Sequence, residues 1–157
     1  MTEPTIYLCD DDEGVRSSIA FLLRQHDLLV KTYASGPELL AEVDTWPTPR
    51  RGIFVLDVRM EPLSGLQVHD ALISRALDRR MPVLFLSGHG DIPMAVGAMA
   101  KGAFSFAEKP YADGALVELM RRALDLEARW HGHVTRHDAL VQLFGSLSRQ
   151  QVRLMPL

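Results

Sequence analysis

The chain has 157 residues, 47% of them hydrophobic and 24% charged, which is enough apolar material for one domain with a core and a tail of some tens of residues. A net charge of -3 excludes a strongly basic nucleic-acid coat and a polyacidic tail, and the single cysteine, Cys9, excludes an internal disulfide framework and a cysteine-based zinc site. The apolar stretches fall far short of the ~20 residues of a membrane span, and the opening Met1-Thr2-Glu3-Pro4 lacks a secretion pattern, so the expectation is a cytoplasmic protein with no membrane association.

Taken in chain order, short apolar runs alternate with amphipathic stretches. The runs are Thr5–Cys9, Leu29–Tyr33, Ile53–Leu56, Val83–Leu86 and Ala103–Ala107. Each has the length and composition of a parallel strand covered on both faces. Between the first two, Val15, Ile19, Leu22 and Leu23 recur at helical spacing. Leu39, Leu40 and Val43 mark a second helix. Leu66, Ala71 and Ile73 mark a third, which the spacing carries to Leu77. Asp91 reads as the N-cap of a helix through Met99, with Gly102 as its C′ glycine. Asp113 reads as the cap of a last helix over Ala115–Arg129. Trp130 closes that helix, and Gly132 with the neighbouring histidines is expected to interrupt it. Five strand–helix units imply right-handed crossovers in one open parallel sheet. Ligands of such sheets bind outside the carboxyl ends of the strands.

The residues after each run therefore carry the functional information. They are Asp10-Asp11-Asp12-Glu13 after the first, Asp57 after the third, Ser87-Gly88-His89-Gly90-Asp91 after the fourth and Glu108-Lys109-Pro110 after the fifth. The second is followed by Tyr33-Ala34-Ser35, without charge. Taken singly, each piece has a plainer reading: a helix N-terminus for Asp12-Glu13, turns for Asp57 and Ser87-Gly88, a loop for Lys109-Pro110. Together they aim acids, a hydroxyl and a lysine at one place. Clustered carboxylates repel one another, and a hard divalent cation such as Mg²⁺ relieves that. Lys109 and Ser87 suit a phosphoryl group, and Asp57 then suits a nucleophile forming an aspartyl-phosphate.

At these residues the chain resembles the receiver domains of two-component response regulators, over roughly residues 4–125. The resemblance rests on Asp10-Asp11, the lone Asp57, Ser87 and Lys109-Pro110. It implies a doubly wound α/β fold of (βα)5 type with strand order 2-1-3-4-5. It implies that Asp57 accepts phosphate from a sensor histidine kinase, with Lys109 and Ser87 assisting. Asp10, Asp11, Asp57 and the backbone carbonyl of Arg59 would hold Mg²⁺ or Mn²⁺. Ser87 and Phe106 would form the conformational switch, with homodimerisation following phosphorylation. Such a protein catalyses only its own phosphorylation and dephosphorylation.

Leu56-Asp57-Val58-Arg59-Met60 and Ser87-Gly88-His89-Gly90-Asp91-Ile92-Pro93-Met94-Ala95-Val96 are similar to the FixJ-like transcriptional regulators. This divides the chain into a receiver, residues 1–125, and a helical linker, residues 126–157. Leu143–Val152 would open a helix-turn-helix domain whose DNA-binding remainder is expected to be absent. The alternative implied is a free-standing receiver that relays or drains phosphate. One departure from the family pattern is Met60-Glu61-Pro62-Leu63 after Asp57, where Met-Pro-Gly is usual, and it implies altered phosphorylation or hydrolysis rates.

Two other classes fit less well. A phosphohydrolase similar to haloacid dehalogenases needs a second Asp two positions after the nucleophile, where Arg59 stands. A flavodoxin-like cofactor binder would meet three aspartates where phosphate must sit. Of the remaining residues, Cys9 reads as core, His89 as a solvated loop residue, Met94 and Met99 as core or interface, and Trp46-Pro47 as loop packing. Val134, Leu140, Val141 and Phe144 form an apolar stripe on the tail, suited to self-association or to packing back on the receiver, with a plain linker remnant as the alternative.

Overall fold

A computed structural model describes residues 3–88 and 90–145, the last twelve of these by backbone alone. The elements are β1 (Thr5–Cys9), α1 (Glu13–Gln25), β2 (Leu29–Tyr33), α2 (Gly36–Val43), β3 (Gly52–Asp57), α3 (Gly65–Ser74), β4 (Val83–Ser87), α4 (Ile92–Ala100), β5 (Ser105–Glu108) and α5 (Asp113–Gly145). All strands are parallel, in the order β2-β1-β3-β4-β5, as the resemblance implies.

The two-residue period of a strand divides the core in two. Ile6, Leu8, Ile53, Val55, Leu84 and Leu86 face one side, where Ile19 and Leu23 of α1 and Leu116, Val117 and Met120 of α5 cover them. Tyr7, Cys9, Phe54, Leu56 and Phe85 face the other, under Leu39 and Val43 of α2, Val68 and Leu72 of α3 and Ala98 of α4. β3 is buried at all six positions, as a central strand must be. Trp46 packs its ring on Tyr7 and Phe54, with centroids 5.0 and 6.2 Å apart, which is the loop packing expected of it.

The ends of the elements show their causes. Asp12 caps α1 by accepting the Val15 N–H at 3.1 Å. Ser35 caps α2, and Glu38 reaches back to the Ala34 N–H. Gly102 takes φ +100, and the bonds Gly102 N–H to Met99 C=O and Ala103 N–H to Ala98 C=O close α4 as a Schellman motif.

Several expectations are corrected. The third helix does not run to Leu77. It ends at Ser74, and Ala76 turns left-handed before a short 3-10 turn, Leu77–Arg79. Leu77 is buried all the same, so its apolar character extended the helical pattern past the true end. The fifth strand starts at Ser105, because Ala103 completes the closure of α4. Asp113 lies inside α5 and does not cap it, since Leu116 N–H bonds to Ala112 C=O. Gly132 does not interrupt α5, which runs unbroken to Gly145. An interior glycine costs a helix only about 1 kcal/mol, which good helix formers on either side absorb. The side chains of the tail stripe, His89 and all of residues 146–157 lie outside the described residues.

Helix α5 is tied down at the amino end of the sheet. Glu127 follows Leu116, Met120 and Ala123 along the buried face and is itself only 1% exposed. It accepts from Arg51 Nε and Nη2 at 2.8 and 2.9 Å and from the Gly52 N–H at 3.0 Å. Gly52 has φ +138, and a Cβ there would stand 1.9 Å from the Thr5 carbonyl oxygen, so only glycine fits. Glu127→Ala leaves both Arg51 and the Gly52 N–H unpaired, and urea unfolding should show a loss of about 3 kcal/mol. Glu127→Gln, which keeps the shape and one acceptor oxygen, should lose less.

Candidate functional site

The switch point of this sheet lies between β1 and β3, and the acids stand at their carboxyl ends. Asp10 follows β1 and is fully buried. Its Oδ1 accepts the Asp12 N–H at 2.9 Å, whereas its Oδ2 has no hydrogen-bond donor. Arg16 donates to the Asp10 carbonyl at 2.7 Å and so fixes the backbone of the turn. Asp57 ends β3 and is 6% exposed. Asp11 is exposed beside them, and one carboxylate oxygen from each of Asp10, Asp11 and Asp57 lies within 4.8 Å of the others.

Lys109, after β5, brings its Nζ to 3.6 Å from Asp57 Oδ1 and 3.8 Å from Asp10 Oδ2. Its own N–H donates to the Ser87 carbonyl at 2.7 Å, which holds the lysine loop to the end of β4. Ser87 is fully buried, and its hydroxyl donates to the Gly88 carbonyl at 3.3 Å. Phe106, paired in register with Phe85, is half-buried against the core under α3 and α4. The structure thus brings together Asp10 and Asp11 after β1, Asp57 at the end of β3 and Lys109 after β5.

The electrostatics follow from the crowding. Burial first, then the neighbouring Asp10, pushes Asp57 up to about 6, with Lys109 opposing. Burial likewise raises Asp10, against the Asp12 N–H and Lys109. Tyr111, two residues beyond Lys109, is raised by burial and then by Asp10 and Asp57, so it too borders the cluster. Cys9 packs in the core with its Sγ 3.6 Å from Met60 Sδ, and burial pushes its thiol up to about 12, as an unreactive core residue.

The backbone of the acceptor strand is approached closely by α3. A Cβ on Gly65 would lie 2.2 Å from the Asp57 carbonyl oxygen. Gly65 also donates its N–H to the Val58 carbonyl at 2.9 Å. Glycine here lets the helix start against the segment that carries Asp57.

Two side chains have partners that the reading by strand ends does not reveal. Asp91 is at the N-cap position of α4 but makes no capping bond. Its carboxylate binds Arg59 and the Gly88 N–H instead. The available signal was position alone, since Arg59 and Asp91 both lie in segments that follow strands.

The response regulator receiver domain model matches residues 6–121. The chain belongs to the response regulator receiver family. It is 42% identical over 120 residues to the C4-dicarboxylate transport transcriptional regulatory protein DctR of Rhodobacter capsulatus, covering 76% of this chain and 59% of that one. It is 39% identical over 123 residues to the transcriptional regulatory protein FixJ of Rhizobium meliloti, covering 78% and 58%. The chain therefore spans about three fifths of the length of these curated relatives. Among solved structures, the response regulator StyR superposes with a TM-score of 0.84 at 33% identity, covering 95% of this chain and 73% of that one. Receiver domains are in general signalling modules rather than enzymes, and they generally bind Mg²⁺ at an acidic pocket. Asp10, Asp11 and Asp57 form such a pocket here, and Asp10 Oδ2, which accepts no hydrogen bond, makes it a fitting oxygen-donor set for a hard divalent cation. Among the described residues no helix is long and apolar enough to cross a membrane.

Two outcomes follow. Because the pKa of Asp57 is raised on folding, its carboxyl favours the fold below its ordinary range, and that contribution is lost as pH rises through about 6. Metal-free Asp57→Asn should therefore be more stable than wild type at pH 7.5, by on the order of 2 kcal/mol. The difference should vanish toward pH 4, as thermal melts across that range would show. Gly65→Ala forces the Asp57 backbone aside, and chemical denaturation should show a loss of about 2 kcal/mol or more.

Proposed function

We propose that this receiver is a phospho-accepting switch that regulates transcription, charged at Asp57 by a sensor histidine kinase. The observation that carries the reading is the Lys109 ammonium, 3.6 Å from Asp57 and 3.8 Å from Asp10. An aspartate with an acid pair on one side and a lysine on the other suits reception of a phosphoryl group.

A carboxylate oxygen of Asp57 forms the new bond to phosphorus while the bond from phosphorus to the donor imidazole nitrogen breaks, and that nitrogen keeps the electron pair. Lys109 exchanges its long contact with Asp57 for a charge-assisted bond to a phosphoryl oxygen. Asp10, Asp11, Asp57 and the Arg59 backbone carbonyl are the groups to hold Mg²⁺ or Mn²⁺. When bound, the cation supplies positive charge that offsets the repulsion between acids and phosphoryl group. Water returns the protein to its starting state by hydrolysing the acyl phosphate, so the only turnover is the protein's own.

The Ser87 hydroxyl holds only a long bond to Gly88 and can turn to a phosphoryl oxygen. Phe106, half-buried, is the residue to follow it inward. The outer face of α4 exposes Met94, Val96 and Met99, and a change there suits homodimerisation. Transcriptional control is inferred from relatives named as transcriptional regulators, with DNA contact assigned to an output domain and not to the receiver.

Intact mass after incubation with Mg²⁺ and acetyl phosphate tests the chemistry. Wild type should gain one phosphoryl group, ~80 Da, and Asp57→Asn none. Lys109→Ala should slow the gain at least ~10-fold, from loss of the charge-assisted contact. A folded wild type that gains no mass overturns the reading.

A further inference from the structure

Arg59 stands two residues after Asp57, and its side chain is 70% exposed. It reaches Asp91, whose carboxylate is buried to 1% exposure. Both Nε and Nη2 of Arg59 lie 2.7 Å from Asp91 Oδ1. Oδ2 accepts the Gly88 N–H at 3.2 Å. An aspartate at an N-cap ordinarily gives its oxygen to the first amides of its own helix. This one does not, and it joins three segments: the residue after Ser87, the start of α4 and the loop after β3.

At its carboxyl end helix α4 is fastened by Lys101, whose Nζ lies 3.0 Å from Asp70 Oδ1, but the helix itself buries little. Its buried residues are Ala95 and Ala98, two small side chains, while Met94, Val96 and Met99 are turned outward. Burying two alanines contributes little hydrophobic stabilisation. The Arg59–Asp91 ion pair is therefore a large share of what seats the amino end of α4. Arg59 also lines a cleft of about 450 Å³ together with Asp11, one of the three clustered acids.

We propose that the Arg59–Asp91 pair is a charge-competition latch: it seats α4 while Asp57 is free, and a phosphoryl group on Asp57 draws Arg59 away and releases the helix. The inference rests on the phosphorylation reading above. A phosphoryl group brings nearly two negative charges and three strong acceptor oxygens, which a guanidinium binds better than a lone carboxylate. Without Arg59, Asp91 keeps one N–H for a buried charge, which is a costly state. Outward movement of the amino end of α4 returns that carboxylate to water. Charge at Asp57 is thereby converted into mobility of the face that carries Met94 and Val96.

Amide hydrogen exchange, with intact mass recorded on the same samples, tests this. Asp91→Asn keeps the volume and the oxygen that accepts from Gly88, and removes the charge that holds Arg59. Arg59→Gln removes the other partner. In unphosphorylated protein both should speed exchange of the α4 amides ~10-fold, with β1 and β3 unchanged as the control for an intact fold. Wild type carrying the phosphoryl group should show the same rise, and phosphorylated Asp91→Asn no further one. The latch is overturned if both variants exchange like wild type at α4. It is equally overturned if wild type gains the phosphoryl mass and α4 keeps its protection. Absence of the mass gain would instead remove the phosphorylation reading, and the unphosphorylated variants would still decide whether the pair seats α4.

Discussion

A parallel sheet that ends two neighbouring strands in buried carboxylates has to offset their repulsion, and here one ammonium does so. Lys109 stands between Asp10 and Asp57, both nearly sealed from solvent. Its distances, 3.6 and 3.8 Å, are those of a shared ion contact and not of a hydrogen bond. The offset is incomplete: burial first and then Asp10 hold the Asp57 carboxyl above its ordinary range, and Asp10 Oδ2 has no hydrogen-bond donor. The site is built to receive something that its own residues do not supply.

The rest of the fold serves to hold that crowded end open and in register. Gly65 lets α3 start against the Asp57 backbone, Arg16 pins the Asp10 turn, and the Lys109 N–H fastens its loop to Ser87. At the opposite end of the sheet the tension is absent: Glu127 meets Arg51 and the Gly52 N–H in full hydrogen-bonding geometry. One end of the molecule is thus electrostatically satisfied and anchors a long helix. The other carries the crowded acids and the loops that follow β1, β3 and β5.

Helix α4 buries only two small side chains, Ala95 and Ala98. Its carboxyl end is fixed by the backbone bonds of the Schellman closure and by the Lys101–Asp70 ion pair. Its amino end depends on a side-chain ion pair that crosses to the loop after the acceptor strand. A helix rigid at one end and ionically fastened at the other is suited to swing when nearby charge changes.

The strand runs, their parallel pairing and the four residues Asp10, Asp57, Ser87 and Lys109 were legible in the sequence. Apolar runs and the residues just beyond them are local features, and the rule that parallel sheets act at their carboxyl ends needs no coordinates. Helix limits were less legible where burial and helicity part company. Leu77 is apolar because it packs in the core, although Ala76 has already turned the chain out of the helix. Gly132 and Asp113 show the converse: local propensity favours a break and a cap, and the continuous ladder of α5 overrides both. The partners of Asp91 and Glu127 lay beyond sequence reasoning. Arg59 is 32 residues from Asp91 and Arg51 is 76 from Glu127, so no spacing rule links them. Composition and periodicity determine which residues are buried and which end of the sheet carries charge. Only the tertiary structure decides which charges meet, because ion pairs depend on side-chain geometry across elements that the chain order keeps apart.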